Sequence, residues 1–126
     1  MARTTPCQVI SLGTVDYLEA WRLQQHLVQQ VHDSHQPNTL LILEHPPTYT
    51  MGRLGSKDQI LLDDRHFAEL GAPLHEVDRG GQLTFHGPGQ QVMYPILNLR
   101  DWGGPLKYVR TLEQIMILSL ADHGIS

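Results

Sequence analysis

Several features that would assign this 126-residue chain to a common class of protein are missing from its sequence. The single cysteine, Cys7, excludes an internal disulfide, which fits a reducing compartment, and we expect a cytoplasmic protein. No stretch approaches the ~18 consecutive apolar residues of a membrane span. The N-terminus lacks the apolar core of a signal peptide. The net charge of −4 provides no basic surface, which argues against nonspecific nucleic-acid binding.

Patterns that would indicate a metal or a second kind of catalytic centre are also missing. No pair of the eight histidines shows helical zinc spacing with a third ligand nearby, so surface histidines are the better interpretation. The acidic residues are scattered, without a carboxylate pair. Cys7 lies in a predicted strand, with no neighbour to lower its pKa, and is expected to be a small buried apolar residue. We therefore predict no metal and no cofactor.

What is present is typical of one folded domain without repeats or linkers. Apolar residues make up 40% of the chain and charged residues 17%, which excludes extended disorder. Strands are predicted at residues 7–12, 39–43, 48–51, 74–77, 83–85 and 91–97. Helices are predicted at 15–31, 63–70 and 105–123. Because the strands cluster instead of alternating strictly with helices, the fold class is α+β with a mixed or antiparallel sheet.

The two long helices carry recognisable faces and ends. Thr14 or Asp16 is suited to cap the first helix, and Gly124 is suited to end the last. The apolar spacing of the first helix predicts one face made of Leu18, Trp21, Gln25 and Val28. The last helix has a similar face, made of Tyr108, Leu112, Ile115, Met116 and Ser119. The strands at 83–85 and 91–97 flank a Gly-Pro-Gly turn and are predicted to be neighbours.

The segment that begins at Arg79 is the strongest functional signal. Four glycines, one proline, one arginine and one histidine fall within the eleven residues 79–89. Glycine lets a ligand approach the main chain, and an arginine fork suits an anionic or carbonyl group. Strand alternation predicts that Thr84 and His86 point to the same pocket. The alternative is a purely structural role, as a glycine-rich β-bulge with a surface arginine. The candidate substrate-binding residues are Arg79, Gly80, Gly81, Gln82, Leu83, Thr84, Phe85 and His86.

Residues 45–52 form a second candidate, as either a pocket wall or an ordinary strand broken by two prolines. Together the two segments resemble the lipoate-biosynthesis octanoyltransferases, also called lipoyl(octanoyl) transferases. The resemblance rests on Arg-Gly-Gly-x-x-Thr-Phe-His-Gly-Pro-Gly-Gln-x-Val-x-Tyr-Pro at 79–95 and on Glu-His-Pro-Pro-x-Tyr-Thr-x-Gly-Arg at 44–53. It covers nearly the whole chain.

The resemblance implies a fold like that of the biotin/lipoate protein ligase catalytic domain. It implies transfer of an octanoyl group from acyl carrier protein to a lysine of a lipoyl domain, in dehydrogenase complexes or the glycine-cleavage carrier protein. Members of that family use a cysteine nucleophile that forms a thioester, assisted by a lysine. Residues 79–86 correspond to part of the acyl-substrate site.

The positions of that cysteine and lysine lie downstream of the last long helix in family members. Cys7, Lys57 and Lys107 do not correspond to them, so we expect no catalytic residue within the chain and expect both groups beyond Ser126. Residues 1–126 are thus expected to be the N-terminal part of one catalytic domain, inactive alone, with an unpaired sheet edge and exposed apolar surface. Two alternatives stay open: a lipoate–protein ligase that uses ATP, and a non-catalytic acyl-binding remnant.

Overall fold

In the part of the chain that the structure describes, the fold combines six strands with three α-helices. The computed structural model describes residues 4–61 and 63–126. The elements in chain order are β1 (Cys7–Thr14), α1 (Tyr17–His32), β2 (Asn38–Glu44), β3 (Thr48–Met51), α2 (Asp64–Glu69), β4 (Leu74–Glu76), β5 (Leu83–His86), β6 (Val92–Ile96) and α3 (Pro105–Asp122). Short 3-10 helices lie at Lys57–Gln59 and Leu99–Trp102. Each predicted strand and helix is present with small shifts of its bounds, and the α+β class is confirmed.

The strands form two mixed sheets built on the same plan. In the first sheet, with strand order β1-β2-β6, β1 and β2 are parallel and β6 is antiparallel to β2. In the second sheet, with order β4-β3-β5, β3 and β4 are parallel and β5 is antiparallel to β3. A helix connects each parallel pair, α1 in the first sheet and α2 in the second, as parallel pairing requires.

The prediction that the strands on either side of the Gly-Pro-Gly turn are neighbours is wrong. Strand β5 pairs with β3, whereas β6 pairs with β2 in the other sheet. The turn at 87–89 therefore carries the chain from one sheet to the other. Each strand finds its partner in an earlier strand of the chain, and this long-range pairing overrides the local preference for a hairpin.

The core lies between α1 and the first sheet. Its buried members are Ala20, Leu27, Val31, Leu41, Leu43 and Ile96. The side of α1 that is buried therefore differs from the predicted one, since Leu18 and Val28 are 37% and 55% exposed. Ala20 is fully buried, and its small side chain lets the helix backbone approach the strands closely. Asp16 caps the helix by accepting hydrogen bonds from the backbone N–H groups of Leu18 and Glu19.

Helix α3 extends from the 3-10 turn that ends at Trp102 and contributes no buried residue. Its apolar residues are instead largely exposed, including Leu106, Ile115 and Met116 at 73%, 52% and 65%. The exposed apolar surface expected from the sequence is thus located on this helix. Gly124 ends the helix at a positive φ of 73°, as predicted. In the described ranges, no helix has the length and hydropathy needed to cross a membrane.

Candidate functional site

The second sheet carries polar side chains on one face, which is buried at Thr48 and Thr50 and exposed at Thr84. Thr50 lies opposite His75 and Thr84, and Thr48 lies opposite His86, so all five side chains share one face. Thr48 and Thr50 are 1% and 0% exposed. A buried polar face is costly unless its groups are hydrogen-bonded. This inversion of the usual pattern around Thr50 and His86 marks that part of the face as a candidate site.

The opposite face of the same sheet is apolar. Its side chains are Tyr49, Met51, Leu74, Leu83 and Phe85, as the register requires. The ring of Tyr49 packs on Phe85 and on Phe67 of α2, with centroid distances of 5.0 and 5.1 Å. Two members of the predicted substrate segment, Leu83 and Phe85, therefore point away from the face that carries His86.

The glycine that permits the loop at 79–82 to close is Gly52, at the end of β3. A Cβ atom at Gly52 would lie 2.5 Å from the Gly81 carbonyl oxygen, 2.7 Å from that of Gly80 and 2.8 Å from Arg79 Nη1. Its N–H donates to the Gln82 carbonyl at 3.0 Å. In the sequence, Gly52 is only the last residue of the candidate segment 45–52, and no local pattern indicates this close approach.

The two adjacent loops are joined by further backbone hydrogen bonds. The N–H of Arg53 donates to the Arg79 carbonyl at 2.9 Å, and the N–H of Leu54 donates to the Gly81 carbonyl at 3.0 Å. Gly81 has a positive φ of 83°, whereas nothing lies within 4 Å of a Cβ placed at Gly80. The Gly-Gly pair thus serves backbone geometry at its second position more than at its first.

Arg79 holds this loop in place through its guanidinium group. Nη1 donates to the Gly80 carbonyl at 2.8 Å, and Nη2 donates to the Gln82 carbonyl at 3.0 Å. Nη2 also donates to the carbonyl oxygen and Oγ1 of Thr50, at 2.9 and 2.8 Å. The donors of these four hydrogen bonds are the terminal nitrogens Nη1 and Nη2, and Nε takes no part in them. Arg79 is therefore a clamp for the loop as well as a candidate ligand contact.

His86 occupies a fixed position on the polar face. Its Nε2 lies 3.0 Å from Thr50 Oγ1, and its Nδ1 lies 3.0 Å from Gln90 Oε1. The turn that carries Gln90 is anchored by Glu44. The carboxylate of Glu44 accepts a hydrogen bond from the Gly89 N–H at 3.0 Å. The two segments singled out in the sequence, 45–52 and 79–86, are thus parts of one site.

Tyr17 of α1 covers this polar face. Its ring stacks with His75 and His86, with centroid distances of 5.7 and 6.1 Å and planes within 15° and 19°. Burial raises the pKa of Tyr17, and the positive charge of Arg79 partly opposes that effect. Tyr17 therefore brings an aromatic surface to within reach of the arginine. Nothing in the sequence indicates this role, because Tyr17 is simply the first residue of a helix.

His45 connects the site to the first sheet and is fully buried. Its Nδ1 donates to the Val15 carbonyl and its Nε2 accepts from the Tyr94 hydroxyl, both at 2.8 Å. Burial raises the pKa of Tyr94 to about 12, so this hydroxyl remains a donor at neutral pH. The expectation of surface histidines is wrong for the buried His45 and for the partly buried His75.

An open cleft of about 430 Å³ adjoins these groups. It lies between α1 and the loop before Arg79, and its lining residues are Tyr17, Trp21, Gln24, Gln25, Val77, Asp78, Arg79 and Tyr94. Aromatic walls can pack on an alkyl chain, and an arginine edge can hold a carbonyl or an anionic group. The arrangement is therefore able to bind a ligand with an apolar part and a polar end.

The expectation that Cys7 is buried has an outcome in the structure. Cys7 is exposed, so its assignment as a buried apolar residue is wrong, because β1 is an edge strand and its first side chain points to solvent. Within residues 4–61 and 63–126, histidine, cysteine and acidic side chains form no group of three or more suited to a metal.

Comparison with known proteins assigns the family. The profile of the lipoyl protein ligase A/B catalytic domain matches residues 16–126. A mitochondrial octanoyltransferase of Arabidopsis thaliana is 44% identical over 119 residues, which cover 94% of this chain and 51% of that protein. An octanoyltransferase of Acidobacterium capsulatum is 42% identical over 125 residues, covering 93% and 51%. The chain belongs to the lipoyl protein ligase A/B catalytic domain family, and the resemblance inferred from its motifs is confirmed.

The chain spans about half the length of the curated relatives it matches. Among solved structures, a crystal structure of lipoate-protein ligase A bound with ATP matches with 12% identity and a TM-score of 0.43. That match covers 72% of this chain and 36% of the ligase. The family assignment therefore depends on sequence similarity.

Proposed function

We propose that this chain is part of an octanoyltransferase of lipoate biosynthesis. The enzyme would move an octanoyl group from acyl carrier protein to a lysine of a lipoyl domain, in dehydrogenase complexes or the glycine-cleavage carrier protein. Residues 79–86 would hold the acyl donor. The observation that carries the proposal is the cleft beside Arg79, where aromatic rings and an arginine edge lie together, in a chain 44% identical to a protein named octanoyltransferase.

The geometry supports a specific division of labour for the donor. The rings of Tyr17 and Trp21, whose centroids lie 6.1 Å apart, would pack on the alkyl chain. The Nε edge of Arg79 would hold the thioester carbonyl or a nearby phosphate, because its terminal nitrogens already bind the loop. Thr84 and His86 are not among the lining residues of the cleft, and His86 would support it from the sheet through its stacking on Tyr17.

We further propose that residues 1–126 are the N-terminal part of a single catalytic domain. In this proposal the nucleophilic cysteine and the assisting lysine belong to the remainder of that domain. The acyl group would pass to the cysteine as a thioester and then to the acceptor lysine. A cytoplasmic location is part of the same proposal, and the exposed free thiol of Cys7 supports it.

The acyl-binding part of the proposal can be tested with the 126-residue chain. We expect octanoyl-loaded acyl carrier protein to shift the amide NMR signals of residues 79–86 and of Tyr17 more than unloaded carrier protein does. Arg79→Ala should weaken the affinity for the loaded carrier by about ten- to a hundredfold, because a charge-assisted hydrogen bond contributes roughly 1.5–3 kcal/mol.

Arg53→Ala is the matched control for that variant. Arg53 lies on the facing loop, carries the same charge and forms an exposed ion pair with Asp78 at 3.1 Å, which contributes little. Equal loss of affinity in both variants would show a general charge effect and contradict the role of Arg79. A melting curve for each variant separates loss of the loop clamp from loss of a ligand contact.

The transfer reaction is tested with the complete domain. Incubation with octanoyl-acyl carrier protein and a lipoyl domain should raise the mass of the lipoyl domain by one octanoyl group without ATP. Modification that requires free lipoate and ATP would identify a ligase and overturn the proposal.

A further inference from the structure

One hydroxyl group joins two separate parts of the candidate site. Thr50, in the middle of β3, is 0% exposed. Its Oγ1 lies 2.8 Å from Arg79 Nη2 and 3.0 Å from His86 Nε2. Arg79 belongs to the loop before β5 and His86 is the last residue of β5. The contact therefore links both ends of the segment to a strand that the segment itself does not contain.

The direction of these hydrogen bonds follows from their chemistry. A guanidinium group only donates, so Thr50 Oγ1 accepts from Arg79. The hydroxyl proton of Thr50 then needs an acceptor, because an unpaired buried donor is costly. Among the described residues, the acceptor within reach is His86 Nε2. The imidazole proton is consequently on Nδ1, which faces Gln90 Oε1 at 3.0 Å.

We propose that Thr50 is a positioning residue of the acyl-donor site. The hydroxyl of Thr50 connects Arg79 to His86 in a single chain of hydrogen bonds. Along this chain, the guanidinium of Arg79 donates to the hydroxyl, the hydroxyl donates to the imidazole, and the imidazole donates to the amide oxygen of Gln90. For its substrate this inference rests on the proposed octanoyl transfer, whereas the protonated nitrogen of His86 follows from the geometry alone.

The remaining contacts of His86 agree with a ring held in one orientation. Stacking on Tyr17 fixes the plane of the imidazole, and the bonds to Thr50 and Gln90 fix its rotation within that plane. Because Nε2 already accepts from Thr50, that nitrogen is not available as a base. His86 therefore contributes a fixed shape to the acyl site, and Thr50 determines which nitrogen carries the proton.

The first test is imidazole NMR of the 126-residue chain labelled with ¹⁵N at histidine, with His86 assigned from a His86→Gln variant. We expect wild-type Nδ1 to be protonated and Nε2 to show the shift of a hydrogen-bond acceptor. Thr50→Val keeps the shape of the side chain but removes the hydroxyl, so Nε2 should lose that shift. Thr50→Ser keeps the hydroxyl and should keep the wild-type pattern.

Thr48→Val is the matched control. Thr48 lies on the same strand and face, is 1% exposed, and donates its hydroxyl to the Pro46 carbonyl at 2.8 Å. This variant should leave the His86 ring signals unchanged. A wild-type ring protonated at Nε2, or an unchanged pattern in Thr50→Val, would overturn the proposal.

The second test is the affinity for octanoyl-acyl carrier protein. Thr50→Val should weaken it about tenfold, Thr50→Ser should restore it to near the wild-type value, and Thr48→Val should keep it. Equal weakening by both valine variants would show a general effect of removing a buried hydroxyl and would refute positioning. If the wild-type chain shows the expected ring signals but binds no octanoyl donor, the proposed function fails while the assignment of the His86 proton stands.

Discussion

Replacing Gly52 with alanine is the sharpest test of how the candidate site is built. The new Cβ atom would lie 2.5 and 2.7 Å from the carbonyl oxygens of Gly81 and Gly80, closer than Cβ atoms approach other atoms in proteins. These are backbone atoms, so a side-chain rotation cannot relieve the clash. The loop at 79–82 must move away from β3, and the Arg79 clamp must move with it.

The expected cost follows from the contacts that this movement disturbs. Overpacking by one methyl group in a close-packed place costs about 1–3 kcal/mol. The hydrogen bond from Leu54 N–H to the Gly81 carbonyl, 3.0 Å long, contributes about 1 kcal/mol more. Alanine also lowers the entropy of the unfolded chain, which offsets about 0.4–1 kcal/mol. We therefore expect Gly52→Ala to lower the free energy of unfolding by about 1–3.5 kcal/mol.

Urea unfolding followed by tryptophan fluorescence measures this loss, and neighbouring glycines provide matched controls. Gly80→Ala meets nothing within 4 Å, so its free energy of unfolding should stay the same or rise by up to about 1 kcal/mol. Gly81→Ala forces a non-glycine residue to a φ of 83° and should cost about 1–2 kcal/mol. If Gly52→Ala is as stable as Gly80→Ala, the close approach of the two loops is not a constraint and the reasoning is refuted.

The remaining predictions concern Tyr94 and Asp16, two residues that support the site. Tyr94→Phe should lower the free energy of unfolding at neutral pH by about 1–3 kcal/mol, because the buried Nε2 of His45 loses its donor; unchanged urea unfolding would contradict this. The pKa of Tyr94 is raised from 10.0 to about 12, so its stabilising contribution is complete below pH 10 and is lost as the pH rises through about 12. Tyrosinate absorbance of wild type minus Tyr94→Phe measures that midpoint, and a midpoint near 10 would refute it. Asp16→Ala should cost about 1 kcal/mol through loss of the α1 cap, whereas a variant as stable as wild type in thermal unfolding would show that the cap contributes nothing.

The elements of the fold could be predicted from sequence because their signals are local. Asp16 and Gly124 mark helix ends by rules that depend on a few neighbouring residues. The pairing of the strands could not be predicted in the same way. The turn at 87–89 looks like a hairpin in sequence, yet β5 and β6 pair with β3 and β2. That choice depends on contacts between residues more than 30 positions apart.

The same distinction applies to the site. The segment 79–86 was found because its glycines, arginine and histidine are adjacent in sequence, and its assignment to substrate stays a prediction. Gly52 and Tyr17 were missed because each becomes important only through a neighbour that is distant in the chain. Thr50 carried a faint signal, since Thr48 and Thr50 repeat a polar residue on alternate positions of β3. The alternation of polar residues along β3 does not indicate whether their face of the sheet is buried or exposed.

The inward polar face of the second sheet has a consequence for how the molecule opens. The first sheet is stabilised by hydrocarbon packing against α1, whereas the inner face of β3 to β5 coheres through hydrogen bonds among Thr50, Arg79 and His86. Such bonds give small net stabilisation each and demand exact geometry. We therefore expect the amides of β3 and β5 to exchange with solvent before those of β2, the central strand of the first sheet. The proposed acyl-donor site would then be able to loosen around an acyl chain while the α1 layer remains intact.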